Sequence, residues 1–297
     1  MAKISAILCA HNSRPDYLDE TLASLRTQDI ASESVEFILV DNGSEPPMEV
    51  SLIENFPYPA RIVRETTLGL TPARVKGIHE SKGDLLVFVD DDNVLIPNYL
   101  SLMLRYFEAN EILGCAGGTI EPRFEKEPPE AWRGVTSCLA LRTVKTVRIT
   151  NVFEAAAMPY GAGMGIRRGV AQHYADSLKK EAWRSQLDRR GASLASAGDV
   201  DMACTACDLG LACGLFPDLS LIHLIPARRT EPEYLQRLAL GISQSNFLLR
   251  RYRKLPGGTL PSIIKEAIFS ILRGKDMKKK SLFLRGKFLA WRMSRQS

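Results

Sequence analysis

The sequence predicts an α/β fold, a mostly parallel central sheet with helices on both faces, followed by a helical basic tail. Two observations carry this. Short apolar, partly β-branched runs at Ile4–Ala10, Val35–Val40 and Leu85–Val89 read as buried strands, and segments with helical spacing separate them. The runs also end in polar or acidic residues, and in such sheets ligands bind beyond the carboxyl ends of the strands.

The elements follow in order. Asn12 and Ser13 precede Pro15, after which Leu18, Leu22 and Leu25 recur at helical spacing. The second strand ends at Asp41-Asn42-Gly43-Ser44, a turn signal, and Ala60–Arg64 is a third strand. Thr71-Pro72 opens a helix through His79, since proline is tolerated in a first turn. Leu85–Val89 is the fourth strand, Pro97–Ala109 a helix and Gly114–Ile120 the fifth strand. Beyond it Pro122, Pro128 and Pro129 read as a loop or lid. Phe153–Met158 is expected as a strand leading into the glycine-rich 161–165 segment. Val200–Leu209 is expected as a helix, and Leu215–Phe216 and Ser220–His223 as short strands. From Pro232 the pattern is helical, broken at Pro256-Gly257-Gly258. The expected division is a domain of 1–232, with halves of about 1–120 and 121–232, and an extension of 233–297.

Of 297 residues 45% are hydrophobic and 25% charged, which excludes a disordered chain. No apolar run reaches the roughly 18 residues of a membrane span, and Ile4–Ala10 is too short for a signal peptide. The six cysteines are scattered apart from Cys204/Cys207, which has no second pair to complete a zinc site. No disulfide framework is needed, and a reducing cytoplasm is expected. The net charge of +5 conceals an asymmetry: residues 233–297 hold 15 basic and three acidic residues, a balance of +12, leaving −7 on the rest. The tail mixes Lys278, Lys279, Lys280, Arg285 and Lys287 with Phe269, Ile271, Leu272, Leu282, Phe283, Phe288, Leu289 and Trp291. This pattern suits a helix lying on an anionic membrane surface, and equally one packed on the body with a solvated basic face. No nucleic-acid-binding signature accompanies the charge.

Asp90-Asp91-Asp92-Asn93 follows a strand apolar enough to be buried. Adjacent carboxylates there repel one another and raise their own pKa values unless a counter-charge is present. A hard divalent cation, Mg²⁺ or Mn²⁺, supplies that charge and takes one or two carboxylates plus phosphate oxygens. The alternative is an Asp-rich helix cap.

The ordered segments CAHNSRPDYLDETLASL, ILVDNGS, GLTPAR and VFVDDDNVLIPNYL strongly resemble family 2 glycosyltransferases of the GT-A fold, over roughly residues 3–224. The resemblance implies nucleotide contacts at Ala10, Asn12, Asp41 and Arg74. It places the family's D-x-D motif in the triple aspartate, as Asp90/Asp92 or Asp91/Asp92, with Asp92 the metal ligand and the preceding aspartate on the ribose. Gly161, Gly163 and Gly165 fall where a family loop lines donor sugar and acceptor. Gly198-Asp199-Val200-Asp201 matches an acidic motif that supplies the general base of inverting enzymes. Position assigns the base to Asp199. Because Gly198 stands where glutamate is common, Asp201 is the alternative. His223 matches a metal-binding histidine, and Arg228 and Arg229 suit a diphosphate.

The implied activity is metal-dependent transfer of a sugar from a nucleotide donor, a UDP-sugar, to a hydroxyl of a glycan or lipid-linked acceptor. It would proceed with inversion, in cell-surface polysaccharide or glycolipid synthesis, in the cytoplasm or on the inner face of the membrane. Rival readings are a retaining transferase, a sugar-nucleotidyltransferase and a non-catalytic nucleotide-binding module.

Overall fold

The computed structural model describes residues 3–189, 191, 193–273 and 277–294, without the side chains of 269–279. Phe269, Ile271, Leu272, Lys278 and Lys279 of the basic tail therefore lie outside the described side chains. Along the chain run β1 (Ile4–Ala10), α1 (Pro15–Arg26), β2 (Val35–Asp41), β3 (Ala60–Arg64), α2 (Leu70–Glu80), β4 (Leu85–Asp90), β5 (Asn93–Leu95), α3 (Tyr99–Ala109) and β6 (Leu113–Phe124). Then come β7 (Arg148–Thr150), β8 (Gly165–Arg167), α4 (Arg168–Lys180), α5 (Gly198–Asp208) and β9 (Ala212–Ile225). The helices α6 (Pro232–Tyr252), α7 (Leu260–Arg273) and α8 (Met277–Met293) complete the order.

The strands form one sheet in the order β3-β2-β1-β4-β8-β6-β9-β5, with β7 also on β9. Pairing is parallel from β3 to β4 and between β6 and β9, while β8, β5 and β7 run antiparallel to their neighbours. Side chains alternate across the sheet because successive Cβ atoms point to opposite faces. Ala6 and Leu8 of β1 pack with Phe37, Val87 and Val89 against Leu22 and Leu25 of α1 and Tyr99 of α3. Ile7, Ile38 and Phe88 face the other way, onto Ile78 of α2, Tyr174 of α4 and Met202 of α5. Helices thus cover both faces. Leu22 is fully buried, and truncating it to Ala would cost about 2–5 kcal/mol.

Register positions the functional edge. β1 pairs Ala10 with Asp41 of β2 and Cys9 with Asp90 of β4, so three strand ends stop at one level. β5 and β9 pair Asn93 with His223, which carries a residue from far along the chain to the aspartates.

Three expectations are corrected. Phe153–Met158 is not a strand: the Ala157 and Met158 amides both donate to the Glu154 carbonyl, and this alanine-rich stretch turns. The two short strands expected at 215–216 and 220–223 are one strand, β9, whose register on β6 shifts between Gly118 and Thr119 to absorb residues 217–219. The expected loop after Pro122 continues β6 to Phe124 and includes a 3₁₀ segment, Glu130–Leu139.

The C-terminal helices dock on the body. Leu235, Leu238 and Ala239 of α6 pack with Val135, Leu139 and Ile225, while Phe247 and Leu249 join Ile263 of α7 and Ala290 of α8 over Leu187 and Ala197. Among the described residues no helix is long and apolar enough to cross a membrane.

Candidate active site

A cleft of about 390 Å³ lies at the aligned strand ends. Ala10 and His11 leave β1 into its wall, Asn42 leaves β2, Arg74 reaches in from α2, and Asp90, Asp91 and Asp92 follow β4. Gly161, Asp188, Arg189, Asp199, His223 and Arg229 close it from the second half.

The aspartate turn is held by Asn93, whose side chain is fully buried. Its Oδ1 accepts from the Asp90 amide at 3.3 Å and its Nδ2 donates to Asp92 Oδ1 at 3.0 Å. The other oxygen of Asp92 lies 3.2 Å from His223 Nε2 and accepts from Arg229 Nη1 at 2.9 Å. Burial works against ionisation of Asp92, but His223 and Arg229 hold its carboxyl below the usual carboxylate range. Asp91 has the opposite balance: burial and the Asp92 charge push it up to about 7, although the Ser13 hydroxyl donates to it. Two neighbouring carboxylates are thus driven apart, one firmly anionic and one near neutral.

Among the described residues no group of three or more His, Cys, Asp or Glu side chains is arranged to hold a metal by itself. The cleft offers a pair instead, Asp92 Oδ2 and His223 Nε2. Arg229 Nη1, which can only donate, lies 3.3 Å from His223 Nε2, which favours a lone pair on that nitrogen and the proton on Nδ1, buried without a hydrogen-bond partner. A carboxylate and an imidazole fit a hard divalent cation that completes its shell with phosphate oxygens and water.

Arg74, almost wholly buried, lies 3.7 Å from Asp90 and 3.5 Å from Asp188. Burial disfavours its charge, but Asp188, Asp90 and Asp199 together keep it protonated. Asp199 sits in the first turn of α5. Its Oδ2 accepts from the Gly161 amide and its Oδ1 from the Val200 amide, both at 2.8 Å. Burial raises its pKa. Arg74 and the two amides oppose the rise, Asp188 adds to it, and the net direction is upward. A carboxyl raised in this way is a stronger base once ionised.

A model described as glycosyl transferase family 2 matches residues 5–175. The chain belongs to glycosyl transferase family 2. A curated relative, the glucosyl-dolichyl phosphate glucuronosyltransferase of Haloferax volcanii, is 25% identical over 132 residues, covering 43% of this chain and 41% of that protein. An uncharacterized glycosyltransferase of Haemophilus influenzae is 32% identical over 157 residues, 52% of this chain and 51% of that one. The chain thus spans about half the length of these curated relatives or less. The crystal structure of S. aureus TarS 1-349 in complex with UDP aligns at a TM-score of 0.56 and 15% identity, covering 99% of this chain and 91% of that one. That likeness is one of fold, the GT-A type of α/β architecture.

In this family 2 chain Ala10, Arg74, Asp90, Asp91, Asp92, Gly161, Asp199, His223 and Arg229 come together as expected residues of one cleft. The remaining expected residues stand elsewhere. Asp41 is buried and occupied within its own turn, accepting from the Ser44 and Met48 amides and pairing with Arg64 at 2.6 Å. Asn42 takes the wall position instead. Asn12, at φ 48°, turns its Oδ1 to the Glu45 amide and stays off the cleft wall. Gly163 and Gly165 are packing glycines, since a Cβ at either would strike Tyr99 or Met103. Arg228 is exposed and outside the cleft, because the 3₁₀ turn Ala227–Thr230 directs only Arg229 inward. Asp201 is fully buried, gripped by Arg184 at 2.7 Å and Arg253 at 2.6 Å, and is no candidate base.

Sequence reading missed His11, Asn42, Asp188 and Arg189 as wall residues. Asp188 had one available signal, the glycine at 198. A Cβ there would lie 2.7 Å from Asp188 Oδ2, so Asp188 fills the space that a side chain at 198 would need.

Proposed function

We propose that this chain transfers a sugar from a nucleoside diphosphate donor, a UDP-sugar, to a hydroxyl acceptor with inversion at the anomeric carbon. The observation that carries the reading is the meeting of Asp90–Asp92, Arg74, Arg229, His223 and Asp199 in one cleft at the strand ends. Family membership supports it, as does likeness in fold to a protein solved with UDP.

Charge supports a cation. The wall holds five carboxylates (Asp90, Asp91, Asp92, Asp188 and Asp199) against three guanidinium groups (Arg74, Arg189 and Arg229). Even with Asp91 near neutral, an anionic diphosphate entering alone finds no spare positive charge, because the three guanidinium groups already face the remaining carboxylates. Asp92 and His223 would hold a divalent ion, Mg²⁺ or Mn²⁺, which when bound neutralises charge on the diphosphate.

The chain's own groups supply the rest. Arg229 sits beside Asp92 and aims its guanidinium at phosphate oxygens. Asp199 accepts the proton of the acceptor hydroxyl as that oxygen bonds to C1. The bond from C1 to the β-phosphate oxygen breaks with its electron pair remaining on the departing UDP. The Gly161 and Val200 amides hold the carboxylate in place for this transfer.

The basic extension supports membrane proximity. Ile264 and Ile268 of α7 and Phe288, Leu289 and Met293 of α8 are exposed, and α8 is rich in Lys and Arg. We read the site of action as the cytoplasmic leaflet.

The test is a panel of UDP-, GDP- and dTDP-sugars with Mn²⁺, followed by release of nucleotide and by the anomeric configuration of the product. UDP-sugar consumption with an inverted product supports the reading. Preference for another nucleotide, or retained configuration, overturns it.

A further inference from the structure

A second cavity, of about 510 Å³, adjoins the cleft, and Asp199 lines both. Cys138, Ala140 and Ser196 are also shared, so the two spaces meet at the carboxylate. The far wall of the second space comes from the C-terminal extension: Ser243, Asn246 and Arg250 of α6, Glu266 of α7 and Lys287 of α8. Phe153 and Tyr160 supply aromatic surface on the body side.

We propose that this cavity is the acceptor site, and that it takes a sugar bearing a phosphate or carboxylate group, with its hydroxyl at Asp199 and its anionic group at Arg250. The inference rests on the transferase reading. The position of the cavity and the chemistry of its lining carry it. The donor cleft needs an opening through which a nucleophile reaches the base, and the second cavity is continuous with the cleft at that side chain. Arg250 lies 5.1 Å over the Phe153 ring and donates from Nη1 to the Pro256 carbonyl, which leaves its Nε and Nη2 donors available to a ligand in the cavity. Lys287 is ion-paired with Glu266 in the same wall, so that pair adds no net charge and Arg250 is the cation left to meet an anion. The extension that builds the wall carries a balance of +12, a field that concentrates anions. The aromatic and amide groups (Phe153, Tyr160 and Asn246) suit a sugar ring and its hydroxyls.

The experiment titrates the full chain, in the presence of UDP and Mn²⁺, with glucose 6-phosphate, glucuronic acid and uncharged glucose, by calorimetry. The same titrations are made on Arg250→Gln. The expected result is saturable binding of at least one anionic sugar, weakened tenfold or more in Arg250→Gln, no comparable binding of glucose, and unchanged UDP affinity. Inorganic phosphate is run in parallel, and weaker binding than the phosphorylated sugar shows that the ring is read as well as the charge. The proposal is overturned if neither anionic sugar binds, if glucose binds equally well, if phosphate alone binds as tightly, or if Arg250→Gln leaves binding unchanged. UDP affinity reports separately: its loss in the wild type would count against the donor reading, and its retention in the variant shows that it folds.

Discussion

Asp199 and Asp201 stand two positions apart on α5 and have opposite environments. Asp201 is locked between two arginines, whereas Asp199 borders open space on two sides. Asp199→Asn is therefore expected to lower turnover by about 10²–10⁴-fold while sparing UDP affinity, checked by initial rates and calorimetry. Because burial raises the Asp199 pKa, the acid limb of the rate profile should fall above the ordinary carboxylate value of about 3.9. The sign for stability is the reverse of the sign for catalysis. A raised folded pKa favours the neutral acid, so this contribution to stability is present below the unfolded pKa and lost as pH rises through the folded one. Asp201→Ala should instead destabilise the chain in urea unfolding, by less than the about 3–5 kcal/mol of a fully stranded buried charge, because Arg184 and Arg253 lose Asp201 but keep Glu181 and Asp208. Its folded fraction should stay active.

The 161–165 loop and the start of α5 yield separable outcomes. Gly163 has φ 72°, and a Cβ there would strike the Tyr99 hydroxyl. Gly163→Ala should cost about 1–3 kcal/mol of stability. A Cβ at Gly161 would strike Arg74, so Gly161→Ala should weaken donor binding as well as lower the melting temperature. Gly198→Glu, which restores the residue common in the family motif, should destabilise the chain by crowding Asp188. The reason some of this was legible in the sequence, and some not, is physical. β1, β2 and β4 were readable because buried parallel strands are apolar runs, and Asp90–Asp92 because charges directly after such a run need an explanation. Tyr174 and Val170 of α4 pack at helical spacing, yet the sequence reading assigned no element to this stretch. Asp188 lies in an irregular segment with no periodic pattern, and only the fold brings it to Arg74 and Gly198. Asp41 and Arg228 stand off the cleft wall, which the sequence could not show because a motif gives order along the chain, not which way a side chain turns.

The chain as a whole is an acidic body with a basic helical extension folded onto it. The extension contributes to the core through Phe247 and Ala290 and to the second cavity through Arg250 and Lys287. Membrane proximity is checked by co-sedimentation: binding to vesicles of phosphatidylglycerol but not phosphatidylcholine is expected, with release as salt is raised. Equal binding to both would remove the electrostatic account. The lack of spare positive charge in the cleft makes a stronger demand, that a nucleotide diphosphate enters together with a divalent cation. Calorimetric titration of UDP into the wild type and into Asp92→Asn, each with and without Mn²⁺, examines this demand. The account expects tight binding only for the wild type with Mn²⁺, and weak binding in the other three cases. Equal UDP affinity in the wild type with the ion present or absent would contradict it.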